Sequence, residues 1–210
     1  MKKNIGWPLL FVAIFALSRW PGLLPNNFSA AYALVFCAGL YLPGKAGWII
    51  PLALLAGSDL VISLVFYPHF FTWKHFALDQ LPNYAAYAGL IALGRSLGRK
   101  RAWWLLLCGG VVGAMLFYLV TNTAAWLLLP YAKTLAGWIQ AMTAGQPGHP
   151  QTWEFFRNTL SSGGLFTGLF VGAMKMTESE AEEEADEPEE DAQPEEKEHE
   201  PVEAEPDSAR

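Results

Sequence analysis

GWIIPLALLAGSDLVISLVFY, residues 47–67, decides the fold. It is 21 residues long and Asp59 is its one charged side chain. At about 1.5 Å per residue, a helix of that length matches the roughly 30 Å hydrocarbon core of a bilayer. Apolar runs separated by polar breaks recur on either side of it, at 5–18, 29–42, 84–97, 102–121 and 152–175. The expected fold is therefore all-α: a polytopic membrane protein of about six transmembrane helices. These form one domain, residues 1–176, followed by an acidic tail, 177–210.

The charge is divided in the same way. Of the 20 acids, 17 lie in 178–210 with only two of the 14 bases, so that segment carries −15. The rest holds twelve bases and three acids, Asp59, Asp79 and Glu154, and carries +9. Soluble domains average about a quarter charged residues, far more than this body has. An ordinary soluble enzyme is excluded. The tail has almost nothing to bury, so it is expected to be disordered in the cytoplasm, either as a solvating tail or free to meet a basic partner.

Sidedness follows from a count. With the N-terminus inside, Lys2, Lys3, Lys45, Arg95, Arg99, Lys100, Arg101 and Lys175 are cytoplasmic, and Arg19, Lys74, Lys133 and Arg157 face out. Eight against four satisfies the positive-inside rule. Trp7, Trp48, Trp103 and Trp104 then fall at the inner boundary, and Trp20, Trp73, Trp126, Trp138 and Trp153 at the outer one, as interfacial belts require. Both termini are expected in the cytoplasm of a cell whose inner membrane holds the protein. The Lys2–Lys3 start before apolar residues 9–17 also suits a signal peptide, but no A-x-A site follows, so the first helix is expected to be retained. Residues 122–151, too long for a turn and too polar to span, are expected to form a helix on the outer face.

Small residues recur every four positions at Gly109/Gly113 and at Gly164/Gly168/Gly172, a spacing that lets helices approach closely. Packing within the bundle and docking of a membrane partner both use such stripes.

Polar groups within spans are costly and default to functional roles. Asp59 falls in the outer half of its helix. Arg19 ends the first helix on the outer side, Asn27 lies in the following loop, Asn122 ends the fifth helix, and Asn158 lies in the first turns of the sixth. All point to one outward-facing site. Duller roles exist for each: Asn27 or Ser29 can cap a helix, Asp59 can pair with Arg19 or Arg157 to close the bundle, and Glu154, Arg157 and Asn158 can pair locally. His75 and Asp79, four apart, suit a transition metal, but the aromatics around them read as interfacial anchors and no metal is expected. Cys37 and Cys108 lack a CxxC partner and read as buried hydrophobes. No GxSxG, HExxH or nucleotide-binding loop is present. The protein is expected not to be an enzyme, to need no cofactor, and to bind no nucleic acid.

Pro25-Asn26-Asn27-Phe28-Ser29, Pro51…Ser58-Asp59, Thr121-Asn122-Thr123-Ala124-Ala125-Trp126 and Asn158-Thr159-Leu160…Gly164…Gly172 resemble a group of uncharacterised bacterial six-helix inner-membrane proteins. The resemblance covers residues 18–174. More distantly, the size, the six helices and the outer polar cluster resemble the substrate-binding S components of energy-coupling factor transporters. That resemblance implies a bound small molecule at the outer face, with a separate transmembrane coupling subunit and ATPases as partners. Two departures stand: the first helix has no AlaxxxAla stripe, and the Met1-Lys2-Lys3 start lacks the Met-His of nickel and cobalt binders. The expected function is a membrane-embedded substrate-binding component for uptake, with Arg19, Asn27, Asp59, Asn122 and Asn158 lining its site under a loop spanning 20–28. The alternative is a non-transporting membrane scaffold or assembly protein.

Overall fold

The computed structural model describes residues 6–186. Among these residues the protein is all-α, with seven helices, one 3-10 turn and no strand. The helices are α1 Gly6–Arg19, α2 Ala31–Tyr41, α3 Ala46–Phe66, α4 Trp73–Leu97, α5 Trp103–Leu128, α6 Leu135–Met142 and α7 Thr152–Asp186, and the turn Pro68–Phe70 links α3 to α4. The Lys2–Lys3 start and residues 187–210 lie outside the described residues.

Two helices, α3 and α5, are long and apolar enough to cross a membrane, where six were expected. Helices α1 and α2 have 14 and 11 residues, roughly 20 Å or less at about 1.5 Å per residue, and are too short. Helix α4 has 25 residues but opens on Lys74, Asp79, Gln80 and Asn83. Helix α7 has 35, with Glu154, Arg157, Asn158 and a serine pair in its first half.

Several boundaries move for physical reasons. The fourth apolar run begins at 84, yet the more polar residues 73–83 extend α4, and part of that polarity faces a cleft described below. Helix α5 runs on to Leu128 because its polar residues are satisfied on the helix itself: Thr121 donates to the Phe117 carbonyl at 2.9 Å and Asn122 to the Tyr118 carbonyl at 2.9 Å. Where a helix on the outer face was expected over 122–151, the structure has α6, eight residues started by Thr134, whose hydroxyl accepts from the Gly137 N–H at 3.2 Å. Helix α7 continues to Asp186, into the stretch expected to begin the disordered tail. Its extension is held near Glu178, which sits 3.6 Å from Lys175 and 3.9 Å from Arg99.

Helix α2 is the hub. Ala31, Tyr32, Ala33, Val35, Phe36, Cys37, Ala38, Gly39 and Leu40 are all buried. A helix apolar all round belongs inside a bundle, and α3, α4, α5 and α7 all contact this one. Its approach to α4 is backbone-close: a Cβ on Gly39 would meet the Ile91 carbonyl oxygen at 2.3 Å, and one on Gly94 the Phe36 carbonyl oxygen at 2.2 Å.

The expected glycine stripes divide. Gly109 packs against Leu97 and Phe36, and Gly113 against Leu90, so both serve the interior. On α7 the tightest approach is at Gly163, where an added Cβ would lie 2.6 Å from the Ala114 methyl; Cβ atoms on Gly164 and Gly168 would make ordinary contact with Val111 and Leu107 of α5, and one on Gly172 would meet nothing within 4 Å. Gly164 and Gly168 therefore face α5 beside the tighter approach at Gly163, and Gly172 faces open space.

Outside this core, large apolar side chains stand exposed along α3 (Ile49, Ile50, Val61, Leu64, Val65), α5 (Val112, Met115, Leu116, Leu119, Val120) and α7 (Leu165, Leu169). The two ends of the bundle differ. One carries Lys45, Arg95, Arg99, Lys100 and Arg101, with Arg95 donating to the Gly44 carbonyl and lying 5.5 Å from the Trp48 ring centre. The other carries the polar cleft.

Candidate functional site

The cleft begins with an ion pair. Arg19 is the last residue of α1, where a cation complements the helix's free carbonyls. Its guanidinium donates to Oδ1 of Asp59, which α3 carries two turns from its end. The Tyr84 hydroxyl of α4 donates to Oδ2 at 3.1 Å, so both carboxylate oxygens are engaged. Asp59 is 6% exposed. An unpaired carboxylate at that depth would be strongly disfavoured, and the pair ties α1, α3 and α4 together. Arg19 Nε is buried and makes no hydrogen bond.

Above the pair lies a cavity of about 400 Å³. Arg19, Asn27, Asp59 and Asn122 all line it, together with Tyr32, Tyr67, Gln80, Asn83, Tyr87, Phe117 and Thr121. Asn27 reaches it from the α1–α2 loop in a left-handed conformation (φ 61°), which asparagine tolerates better than most residues, and its carbonyl accepts from the Tyr32 hydroxyl at 3.2 Å. Asn83 donates to the Gln80 side-chain oxygen at 3.0 Å. The floor is aromatic: Tyr32 and Tyr87 flank Phe117, with ring centres 4.8 and 5.0 Å from it.

Asn158 stands apart. It does not line this cavity; its amide donates to the Asn26 carbonyl at 2.9 Å. It therefore anchors the loop that presents Asn27. That loop is also fastened by Trp20 against Phe66 (5.4 Å) and Phe28 against Phe166 (5.9 Å), and a second cavity of about 250 Å³ beneath it shares Arg19, Asn27 and Tyr32 with the first. Arg157 lies over Trp153 at 5.3 Å and has no part in the cleft.

The sequence carried a signal for α4's share of the site. Gln80, Asn83, Tyr84 and Tyr87 have spacings of three, four and seven, one face of a helix. Starting the fourth apolar run at residue 84 cuts that face in two. Tyr32 left no such trace, since it sits in an otherwise apolar helix. No group of three or more His, Cys, Asp or Glu side chains able to hold a metal ion occurs among the described residues.

The chain belongs to a family of unknown function, DUF6580, whose model matches residues 1–186. No curated protein and no solved structure matches the chain.

Proposed function

Since the family has no assigned activity, we propose a function from the cleft itself: the protein is a membrane-embedded component that binds a small molecule at its outer face for uptake. The observation that carries this reading is the convergence of Arg19, Asn27, Asp59 and Asn122, from four separate segments, on one cavity. Ligand sites are concave and have a few converging polar groups, and this cavity lies within their usual size of about 300–1,000 Å³. In this reading about six segments cross the inner membrane and both termini are cytoplasmic. The short α2 is no obstacle, because a helix enclosed by its neighbours need not match the bilayer thickness. Exposed Trp20, Trp73, Trp103, Trp104 and Trp153 act as interfacial anchors. Transport energy comes from a separate coupling subunit and ATPases, as the resemblance to S components implies.

The test is to purify the full-length protein from its native host and identify co-purifying small molecules by mass spectrometry. Asn27→Ala and Asn122→Ala should each lose the bound molecule, and retention by both variants would overturn the assignment. Crosslinking in the host separates uptake from its rival. An ATPase-bearing complex supports uptake, whereas an assembly complex without ATPases and without bound ligand supports a scaffold.

A further inference from the structure

We infer that the cleft takes an uncharged ring-shaped molecule edged with hydrogen-bonding groups, the chemistry shared by nucleosides and monosaccharides. This rests on the cleft being the binding site proposed above.

The first argument is charge. Among the described residues, Arg19 and Asp59 are the only charged side chains lining the cavity, and they neutralise each other directly. An anionic ligand meets a pair with no charge to spare: the more it draws on Arg19, the less counter-charge is left to the buried Asp59 carboxylate. A cationic ligand would displace Arg19 from Asp59 and leave the guanidinium unpaired. Either exchange opposes binding, so the pair filters out net charge rather than attracting it.

The second argument is shape. Tyr32, Phe117 and Tyr87 line the cavity as one ring cluster, with Tyr32 tilted by 56° and Tyr87 stacked at 27° against Phe117, and such a cluster favours a further ring packed at an edge or a face. Amide side chains line the same cavity: Asn27 from the loop, Gln80 and Asn83 from α4, Asn122 from α5. Each amide offers both a donor and an acceptor, the combination that hydroxyl, carbonyl and amino groups on a ring edge can satisfy. A linear hydrocarbon would leave these groups unpaired, and a site built to hydrogen-bond its ligand rejects analogues that cannot reciprocate.

The experiment uses the full-length protein in detergent and follows thermal unfolding by tryptophan fluorescence. Probes are offered in pairs: uridine with uridine monophosphate, adenosine with adenosine monophosphate, glucose with glucuronate, and galactose with galacturonate. Stabilisation by an uncharged member, with its anionic counterpart at least tenfold weaker, is expected. Asn83→Ala and Asn122→Ala should each weaken that binding at least tenfold while leaving the unliganded midpoint nearly unchanged. Nucleosides and sugars are told apart by which pair responds. Equal or stronger binding of the anionic members, lost in Asn122→Ala, overturns the uncharged class but supports the cleft as the site. Stabilisation that persists in both variants overturns the site itself. If no probe binds, the co-purifying molecule decides: a charged or acyclic one overturns the class, and an uncharged ring supports it.

Discussion

At the scale of single residues, Asp59 is the most conspicuous side chain in the sequence and Arg19 one of several cations expected on the outer side. Their pairing changes the chemistry available to the cleft. A buried ion pair adds little net stability over a well-packed apolar pair, but breaking one side of it is costly. Asp59→Asn should therefore lower unfolding stability by about 3 kcal/mol, because Arg19 loses its counter-ion. Arg19→Met should cost a similar amount. The double variant Arg19→Met with Asp59→Leu should recover most of the loss, which reversible unfolding in detergent would read out. Additive losses would mean that the two side chains do not depend on each other.

At the scale of elements, the α2–α4 crossing governs the geometry of the site. Tyr32 comes from one of these helices and Gln80, Asn83, Tyr84 and Tyr87 from the other, so their separation sets the width of the cleft. Gly39 and Gly94 hold that separation at backbone contact, since an added methyl would lie little more than 2 Å from a carbonyl oxygen. Gly94→Ala should force the helices apart and lower the thermal midpoint by several degrees. Gly172→Ala, with open space around it, should be neutral or slightly stabilising through a gain of about 0.5–1 kcal/mol in helix propensity. Equal effects of the two substitutions would show that glycine acts here through helix propensity alone. The same contrast separates members of one glycine repeat: spacing marks a face, and only the neighbouring helix decides which positions on it are in contact.

At the scale of the whole molecule, orientation decides which end of the bundle meets the outside. The basic end and the cleft end are chemically distinct, and positive residues favour the cytoplasm. In a background with Cys37 and Cys108 replaced by alanine, His149→Cys, in the loop between α6 and α7, should react with a membrane-impermeant maleimide in intact cells. Lys45→Cys, in the α2–α3 loop at the other end, should react only after permeabilisation. Reaction of both in intact cells would contradict a bundle with its cleft outside and its basic loops inside. The exposed apolar rows on α3, α5 and α7 match such a bundle, since lipid rather than protein would cover them.

Much of this was legible in the amino-acid sequence. Helical class, the apolar body, the opposed character of its two ends and the gathering of Arg19, Asn27, Asp59 and Asn122 near one end follow from composition and order along the chain. These are local properties: hydrophobic length and the position of a residue along its own helix need no knowledge of neighbours. Other features had to wait for the tertiary structure. That Asp59 and Arg19 cancel each other, that α4 contributes a polar face, and that Asn158 holds a loop instead of lining the cleft all depend on how each helix is rotated against the next. That rotation is set by close backbone contacts such as Gly39 on Ile91 and Gly94 on Phe36, between residues more than fifty positions apart, and no periodicity within a single helix can express it.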